Sequence, residues 1–160
     1  MDHEETSPTY WYDVTLYHIE PVAKPRMTRQ DKWPNPPRNY RGKKWPRPAV
    51  AKYFAFCKEV KFMCRIELPL EGAKIVFGIS MPGSWSKAKR ERMKGRPHQQ
   101  RPDLSNLIKA LEDACWADDS GIWNYGGLSK VWAKEGYISV AKRSPFQRND
   151  HGRNNEMVLE

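Results

Sequence analysis

Cysteines, catalytic signature motifs and long apolar runs are all scarce or missing in this sequence. Its three cysteines, Cys57, Cys64 and Cys115, show no CxxC or Cys/His spacing. Because the number of cysteines is odd and their spacing matches no motif, we expect reduced and mostly buried thiols, not a disulfide framework or a zinc site. No segment approaches the roughly 20 apolar residues of a membrane span. The start MDHEE is acidic, unlike a signal peptide. We therefore expect a cytoplasmic protein with no membrane partner.

Several catalytic signatures are also missing. The chain contains no GxxxxGKS phosphate loop, no HExxH, no GxSxG and no RNA-recognition motif of the RNP type. Nucleotide hydrolysis on a phosphate loop, zinc proteolysis and serine chemistry therefore have no support. At 160 residues and without an internal repeat, the chain predicts one domain that is long enough to bury a core.

Acidic residues are outnumbered. The chain has 19 Asp and Glu against 28 Lys and Arg, which gives a formal net charge of +9. Such a balance favours an anionic partner, most commonly nucleic acid. From charge alone, a well-solvated basic surface is an equally open alternative.

Residues 21–48 form a basic, proline-rich arm. Seven prolines exclude helix or sheet for most of its length. Nine Lys and Arg against one acid are interleaved with Trp33, Tyr40 and Trp45. Cations for phosphates and aromatic planes for bases suit a strand of nucleic acid. A long loop whose aromatic side chains pack onto the domain is the open alternative.

A second basic segment covers residues 84–101, with seven Lys and Arg against Glu91. It predicts a short helix that begins after Ser84 or Ser86 and ends near Gly95. Because this imbalance exceeds that of an ordinary solvated face, we expect contact with phosphate.

The remaining pattern predicts alternating helices and strands. Bulky alternation predicts a strand in 10–20, and an uninterrupted amphipathic run predicts a helix over 49–68. A β-branched run predicts a strand over 72–81. LSNLIKALEDAC predicts a second helix with an apolar stripe. Residues 120–142 predict two or three short strands, with turns at Gly126–Gly127 and near Gly136.

The stretch RPDLSNLIKALEDACWADDSGIWN gathers Asp103, Glu112, Asp113, Asp118 and Asp119 in a basic chain. Repelling carboxylates are brought together mainly where a cation holds them. The hypothesis is a magnesium site built from the first aspartate and the Asp pair, and beside a basic surface such a site predicts phosphodiester cleavage. On spacing alone, a simple N-cap and a solvated turn are the favoured alternative.

Two further side chains in this region are candidates. Lys109 lies on one predicted helix face with Asn106 and Asp113 and could stabilise a transition state. Its alternative is a surface lysine paired with Asp113 at i+4. His98 is a weak candidate for holding phosphate or metal.

The order SWSKAKRERMKGRPHQQRPDLSNLIKALEDACWADDSGI resembles the RusA family of Holliday junction resolvases, best known from bacteria and their prophages. The family pattern is a basic segment with SW, then PDxDNLxKAxxDA, a short connector, a DDxxI turn and a strand with a lysine. PVAKPRMTR also looks like the family's segment after its first strand. The matching positions are Pro102, Asp103, Asn106, Leu107, Lys109, Asp113, Ala114, Asp118, Asp119, Ile122 and Lys130.

The resemblance implies an α+β (α/β) fold, with one small domain over residues 10–142 and a mixed β-sheet with two main helices. Residues 1–9 are then a flexible N-terminus and residues 143–160 a polar tail. It also implies a homodimer that cuts opposed strands of a four-way DNA junction symmetrically, because a two-fold junction matches a two-fold protein. The implied cofactor is Mg²⁺, with Mn²⁺ as a possible substitute.

Carried over by position, Asp103 and Asp119 match metal-binding catalytic aspartates. Lys109 matches a catalytic lysine, and Asp118 is the neighbouring acid. The family has a second aspartate where this chain has Ser105. Since a serine hydroxyl is a weaker, neutral ligand, metal affinity should fall unless Glu112 or Asp113 compensates.

The predicted function is a Mg²⁺-dependent, structure-selective DNA endonuclease of recombination and repair, of phage type, in a bacterial host cell. One alternative is a protein that binds branched DNA with weak or no cleavage because of Ser105, and another is a nuclease for other branched or flapped DNA. The residues predicted to contact DNA are basic: Lys24, Arg26, Arg29, Lys87, Lys89, Arg90, Lys94, Arg96, Arg101 and Lys130.

Overall fold

The computed structural model describes residues 12–32, 35–36, 38–42 and 44–143. The predicted N-terminal segment 1–9, the tail after Arg143 and the side chain of Trp33 lie outside this part of the chain. The regular elements, in order, are β1 (Tyr12–Tyr17), α1 (Pro48–Lys58), β2 (Ala73–Ser80), α2 (Lys87–Met93), α3 (Leu104–Cys115), β3 (Tyr125–Ala133) and β4 (Tyr137–Arg143).

The four strands form one mixed sheet in the order β1-β4-β2-β3. β4 pairs antiparallel with both β1 and β2, whereas β2 and β3 are parallel. A parallel pair requires a long crossover connection, and here the crossover contains α2 and α3. The sheet and its helices confirm the predicted α+β fold class.

The core lies between the sheet and the helices α1 and α3. Alternate residues of β2, among them Ile75 and Phe77, are almost fully buried. They belong to one cluster with Leu107 and Leu111 of α3 and Phe56 of α1. Burial of Leu107 and Leu111 confirms the apolar stripe predicted for α3, since residues at i and i+4 share a helix face.

The helix predicted over 49–68 is shorter than expected. α1 begins at Pro48 and continues beyond Lys58 as a π-helical turn, Glu59–Cys64. Arg65 then adopts a left-handed backbone conformation with φ of 49°, which ends the helix. Ile66 and Leu68 follow as non-helical residues whose side chains are buried in the core.

The turn predicted at Gly126–Gly127 is wrong, because β3 runs through both glycines. The register with β2 shifts between Ala73 and Lys74, so that Gly126 is the extra residue of a β-bulge. A Cβ at Gly126 would lie 2.6 Å from the carbonyl oxygen of Gly72. The absence of a Cβ at Gly126 therefore permits the backbones of Gly126 and Gly72 to approach closely.

The three cysteines are free and half-buried. Cys57, Cys64 and Cys115 pack against the core cluster. Burial raises the pKa of all three thiols, and that of Cys115 to about 12. They are therefore protonated packing residues at neutral pH. Among the described residues, no helix combines the length and apolar character needed to cross a bilayer.

Candidate active site

Asp103 stands at the entrance to α3. Its extended backbone (φ −71°, ψ 141°) makes it the N-cap residue, and its carbonyl accepts hydrogen bonds from the amides of Asn106 and Leu107, both at 3.1 Å. Its side chain makes no capping hydrogen bond. The carboxylate is exposed at the positive end of the helix dipole, where a negative charge is favoured.

The five clustered acids fall into two groups. Glu112 accepts a hydrogen bond from the hydroxyl of Tyr125 at 2.6 Å. Asp113 accepts one from Tyr53, and the Oδ1 atom of Asp118 accepts one from the amide of Ser120 at 2.9 Å. Within the described part of the chain, the carboxylates of Asp103 and Asp119 have no hydrogen bond and no ion pair. These two carboxylates are therefore available to bind a ligand.

Asp113 is excluded from this free group by its own contacts. Its Oδ2 atom lies 2.6 Å from Lys24 Nζ and accepts the 2.6 Å hydrogen bond from Tyr53. The alternative pairing of Lys109 with Asp113 is therefore wrong, and Asp113 is not available to replace the missing aspartate at Ser105. Lys109 is exposed, and no partner for its ammonium lies among the described residues.

Ser105, Lys109 and Glu112 share one side of α3, since they are spaced at i, i+4 and i+7. Glu112 on this side is bonded to Tyr125, which begins β3. Burial, together with the nearby carboxylates of Glu112 and Asp119, raises the pKa of Tyr125. Asp119 is therefore near enough to Tyr125 for its charge to act on the phenol.

Lys130 was expected to contact DNA, but its ammonium is used within the chain. It donates hydrogen bonds to the carbonyl oxygens of Gln100 and Pro102. The loop that leads to Asp103 is therefore fixed from the middle of β3. Sequence analysis missed this role, because the lysine and the loop are 28 residues apart in the chain.

The same loop is paired with the edge of β3. The amide of His98 donates to the carbonyl of Lys130 at 3.0 Å, and the amide of Trp132 donates to the carbonyl of Arg96 at 2.9 Å. These hydrogen bonds extend the pairing beyond β3. They hold the segment that connects α2 to the start of α3 against the edge of the sheet.

His98 is a buried part of this loop, with 3% of its surface exposed. Its ring lies 4.1 Å from the ring of Trp132, and Trp132 in turn lies 4.8 Å from Trp85. The planes of the His98 and Trp132 rings are tilted by 51°. A buried ring packed against another aromatic side chain is a packing residue, so the structure gives no support to His98 as a ligand for metal or phosphate.

Burial and the neighbouring ammonium of Lys130 lower the pKa of His98 below its ordinary value of 6.5. Below pH 6.5 the unfolded chain therefore binds this proton more readily than the folded one, so the free energy of unfolding falls as the pH decreases. We expect His98→Phe to flatten this pH dependence. Chemical denaturation between pH 5 and pH 8 measures it, and equal slopes for the two proteins would contradict it.

The arm 21–48 is tied to α3 near its start and is held together internally further along. The backbone amide of Lys24 donates to the carbonyl of Asn106 at 2.9 Å, in addition to the ion pair with Asp113. Further along, Arg47 holds buried Asp31 through two hydrogen bonds, Nε–Oδ1 at 3.0 Å and Nη2–Oδ2 at 2.6 Å. The hydrogen bonds from Arg47 lower the pKa of Asp31.

Two aromatic residues of the arm pack on one another. The rings of Tyr40 and Trp45 meet edge to face at 4.9 Å, and both side chains are half-buried. Among the basic residues of the arm, Lys24 already forms an ion pair with Asp113. Arg26 and Arg29 are exposed and remain predicted DNA contacts.

The basic helix α2 begins where it was predicted. Ser86 is its N-cap and accepts a hydrogen bond from the amide of Lys89 at 3.2 Å. Lys89 places its ammonium 4.0 Å from the ring centre of Trp85, and Arg90 donates to the carbonyl of Pro82 at 3.1 Å. Five other cations of this region are exposed: Lys87, Arg92, Lys94, Arg96 and Arg101.

The donor set fits one mode of metal binding. No group of three or more His, Cys, Asp or Glu side chains in the described residues is placed to enclose a metal ion. Magnesium, however, is usually held by one or two carboxylates, several waters and the substrate's phosphates. Two free carboxylates, Asp103 and Asp119, with the hydroxyl of Ser105 nearby in sequence, suit this open mode.

Residues 18–141 match the family described as Endodeoxyribonuclease RusA. The chain belongs to this family. A search of the curated proteins gave no match, and neither did a search of the solved structures. Membership of the RusA family confirms the resemblance seen in the motifs and implies a nuclease that resolves Holliday junctions.

Proposed function

We propose that this RusA-family protein is a divalent-metal-dependent endonuclease that resolves four-way DNA junctions by paired, symmetric nicks. The observation that carries the proposal is the freedom of two carboxylates. In a cluster of five acids, only those of Asp103 and Asp119 have no hydrogen bond or ion pair to the described chain, and both occupy motif positions of the family.

Each side chain of the site has a role in this proposal. Asp103 and Asp119, with Asp118 beside them, would hold an ion such as Mg²⁺ or Mn²⁺, which supplies polarisation of the phosphate and activation of water. Lys109, exposed on the side of α3 that also carries Ser105, would stabilise negative charge that develops on the phosphate. Lys130 keeps Asp103 in place by holding the preceding loop.

Two copies of the chain would act together on one junction. A four-way junction has two-fold symmetry, and a homodimer presents two identical sites related by the same symmetry. The exposed cations of α2 and the following loop would hold the junction arms through their phosphates.

A synthetic four-way junction, compared with a linear duplex of the same sequence, tests the proposal. We expect paired nicks at symmetric positions in the junction, dependent on Mg²⁺ and abolished by EDTA. Tight binding without cleavage in either Mg²⁺ or Mn²⁺ would instead establish the alternative, a branched-DNA-binding protein. Equal cleavage of flapped and forked DNA would establish a broader nuclease.

Ser105→Asp is expected to increase cleavage at low Mg²⁺. Ser105 is exposed in the first turn of α3, and a carboxylate there adds the negative charge that the family pattern contains. The Mg²⁺ concentration for half-maximal cleavage should fall by about tenfold, since an added carboxylate ligand tightens a hard-cation site. Ser105→Asn, a neutral substitution at the same position, is the control. No difference between the two variants would show that the serine does not limit the metal site.

A further inference from the structure

A cavity of about 390 Å³ lies between α2 and the turn that precedes it. Its volume falls within the range of small-molecule sites. None of the acidic residues proposed to bind the metal lines it, although Lys87 and Lys94 of the basic surface do. The side chains that shape it are Met81, Trp85, Lys87, Arg90, Lys94 and Lys134.

The cavity is strongly basic. Four of its lining residues are Lys or Arg, against the single acid Glu91. Arg90 is fixed through Nη2 to the carbonyl of Pro82 at 3.1 Å, while its Nε atom is buried and has no hydrogen-bond partner in the described structure. A buried guanidinium N–H without an acceptor is unfavourable. The lining residues Lys87, Arg90, Lys94 and Lys134 offer positively charged donors, which can bind a phosphate group through charge-assisted hydrogen bonds.

The other wall of the cavity is apolar. Met81 and Trp85 contribute it, and the indole of Trp85 is supported by Trp132 at 4.8 Å. Over the Trp85 ring lies the ammonium of Lys89, 4.0 Å from the ring centre. A nucleobase could take this place, since bases and cations both bind aromatic faces.

A cationic wall beside an aromatic one suits a ligand with a planar base and a phosphate. In a duplex the base is paired and stacked, and it cannot enter a pocket unless it is unpaired. We propose that this cavity binds one unpaired nucleotide of the DNA substrate. The proposal rests on the proposed function only in taking DNA as the ligand.

The position of the cavity fits this role. Lys134 directly follows β3, and Lys130, which holds the loop before Asp103, lies four residues earlier in the same strand. Four residues of a strand span roughly 13 Å. The cavity and the start of α3 therefore lie along one edge of the sheet, where a single DNA strand can reach both.

The test compares Arg90→Gln with Arg92→Gln, using the full chain in EDTA so that no cleavage occurs. Arg92 is the matched control, because it lies two residues away on α2 and does not line the cavity. Fluorescence anisotropy with a short single-stranded oligodeoxythymidylate and with a duplex gives the affinities. We expect Arg90→Gln to weaken single-strand binding by about tenfold, the loss of one charge-assisted hydrogen bond, and Arg92→Gln to weaken it by less than about threefold.

Two further arms complete the design. An abasic strand of equal length should bind the wild type as weakly as the thymidylate strand binds Arg90→Gln. Lys134→Gln should repeat the effect of Arg90→Gln without touching the bond to Pro82. Equal weakening of single strand and duplex by Arg90→Gln and Arg92→Gln would overturn the proposal and leave a general phosphate surface. Equal affinity of the wild type for the abasic strand and the thymidylate strand would also overturn it, because no base would then be recognised.

The failure of this proposal can be distinguished from failure of the proposed function. If the wild type nicks a four-way junction in Mg²⁺ but Arg90→Gln and Arg92→Gln bind all strands alike, only the cavity assignment is wrong. If the wild type binds no DNA, both proposals fail.

Discussion

Asp103→Asn and Asp119→Asn should each reduce junction cleavage by at least about 10³-fold while junction affinity in EDTA stays within about threefold of wild type. Loss of a charged metal ligand removes several kcal/mol of transition-state stabilisation. The amide of asparagine keeps the shape of the side chain but not its charge. Neither carboxylate makes a hydrogen bond or ion pair in the described chain, so both variants should fold. Asp103→Asn should lose only the favourable interaction with the helix dipole, about 0.3–1 kcal/mol.

Single-turnover cleavage measures the effect, and thermal unfolding verifies the fold. Glu135→Gln is a matched control, since Glu135 is an exposed acid in the turn between β3 and β4. Asp118→Asn should lose less activity than Asp119→Asn, because asparagine can still accept the hydrogen bond from Ser120. Wild-type rates in Asp119→Asn with a strong loss in Asp118→Asn would assign the metal-binding role to Asp118 instead.

Lys130→Met should reduce cleavage by about 100-fold and also destabilise the fold. The ammonium satisfies the carbonyl oxygens of Gln100 and Pro102, and each carbonyl left without a donor costs about 1–3 kcal/mol. A displacement of the loop moves Asp103, and a shift of about 1 Å in a catalytic group can cost about 100-fold in rate.

The variant Lys130→Arg distinguishes two roles of Lys130, positioning of the loop before Asp103 and direct contact with DNA. If Lys130 bound phosphate as a simple charge, arginine would retain both affinity and activity. Positioning requires a compact ammonium that reaches two carbonyls, so we expect Lys130→Arg to remain impaired in cleavage. In addition, the dependence of junction affinity on salt should be unchanged in Lys130→Met, whereas the loss of a phosphate contact would lower its slope by about one. A lowered slope with full activity in Lys130→Arg would contradict positioning.

The helices were predictable where their stabilisation is local. α3 follows from an apolar stripe at i, i+3 and i+4, and α2 from a serine N-cap followed by good helix formers. α1 was placed correctly at Pro48, but its end was not. Its end depends on burial of Ile66 and Leu68 in the core, to which distant parts of the chain contribute.

The error at Gly126–Gly127 has a similar cause. Two adjacent glycines usually mark a turn, because they adopt unusual backbone angles freely. In this structure a second property of glycine matters, the absence of a Cβ. It lets Gly126 approach the carbonyl of Gly72. Gly72 directly precedes β2, and only the pairing of β2 with β3 brings the two glycines together.

The sequence alone determined the basic surface, the helix and strand types and the motif residues of the RusA family, because these depend on composition and on neighbours within a few positions. Tertiary structure decided which motif carboxylates are free. Asp113 accepts a hydrogen bond from Tyr53, 60 residues away, and Glu112 accepts one from Tyr125 of β3. Asp103 and Asp119 have no such partner among the residues that the structure describes. Hydrogen-bond partners are chosen by distance in space, and packing of the sheet against α1 and α3 sets that distance.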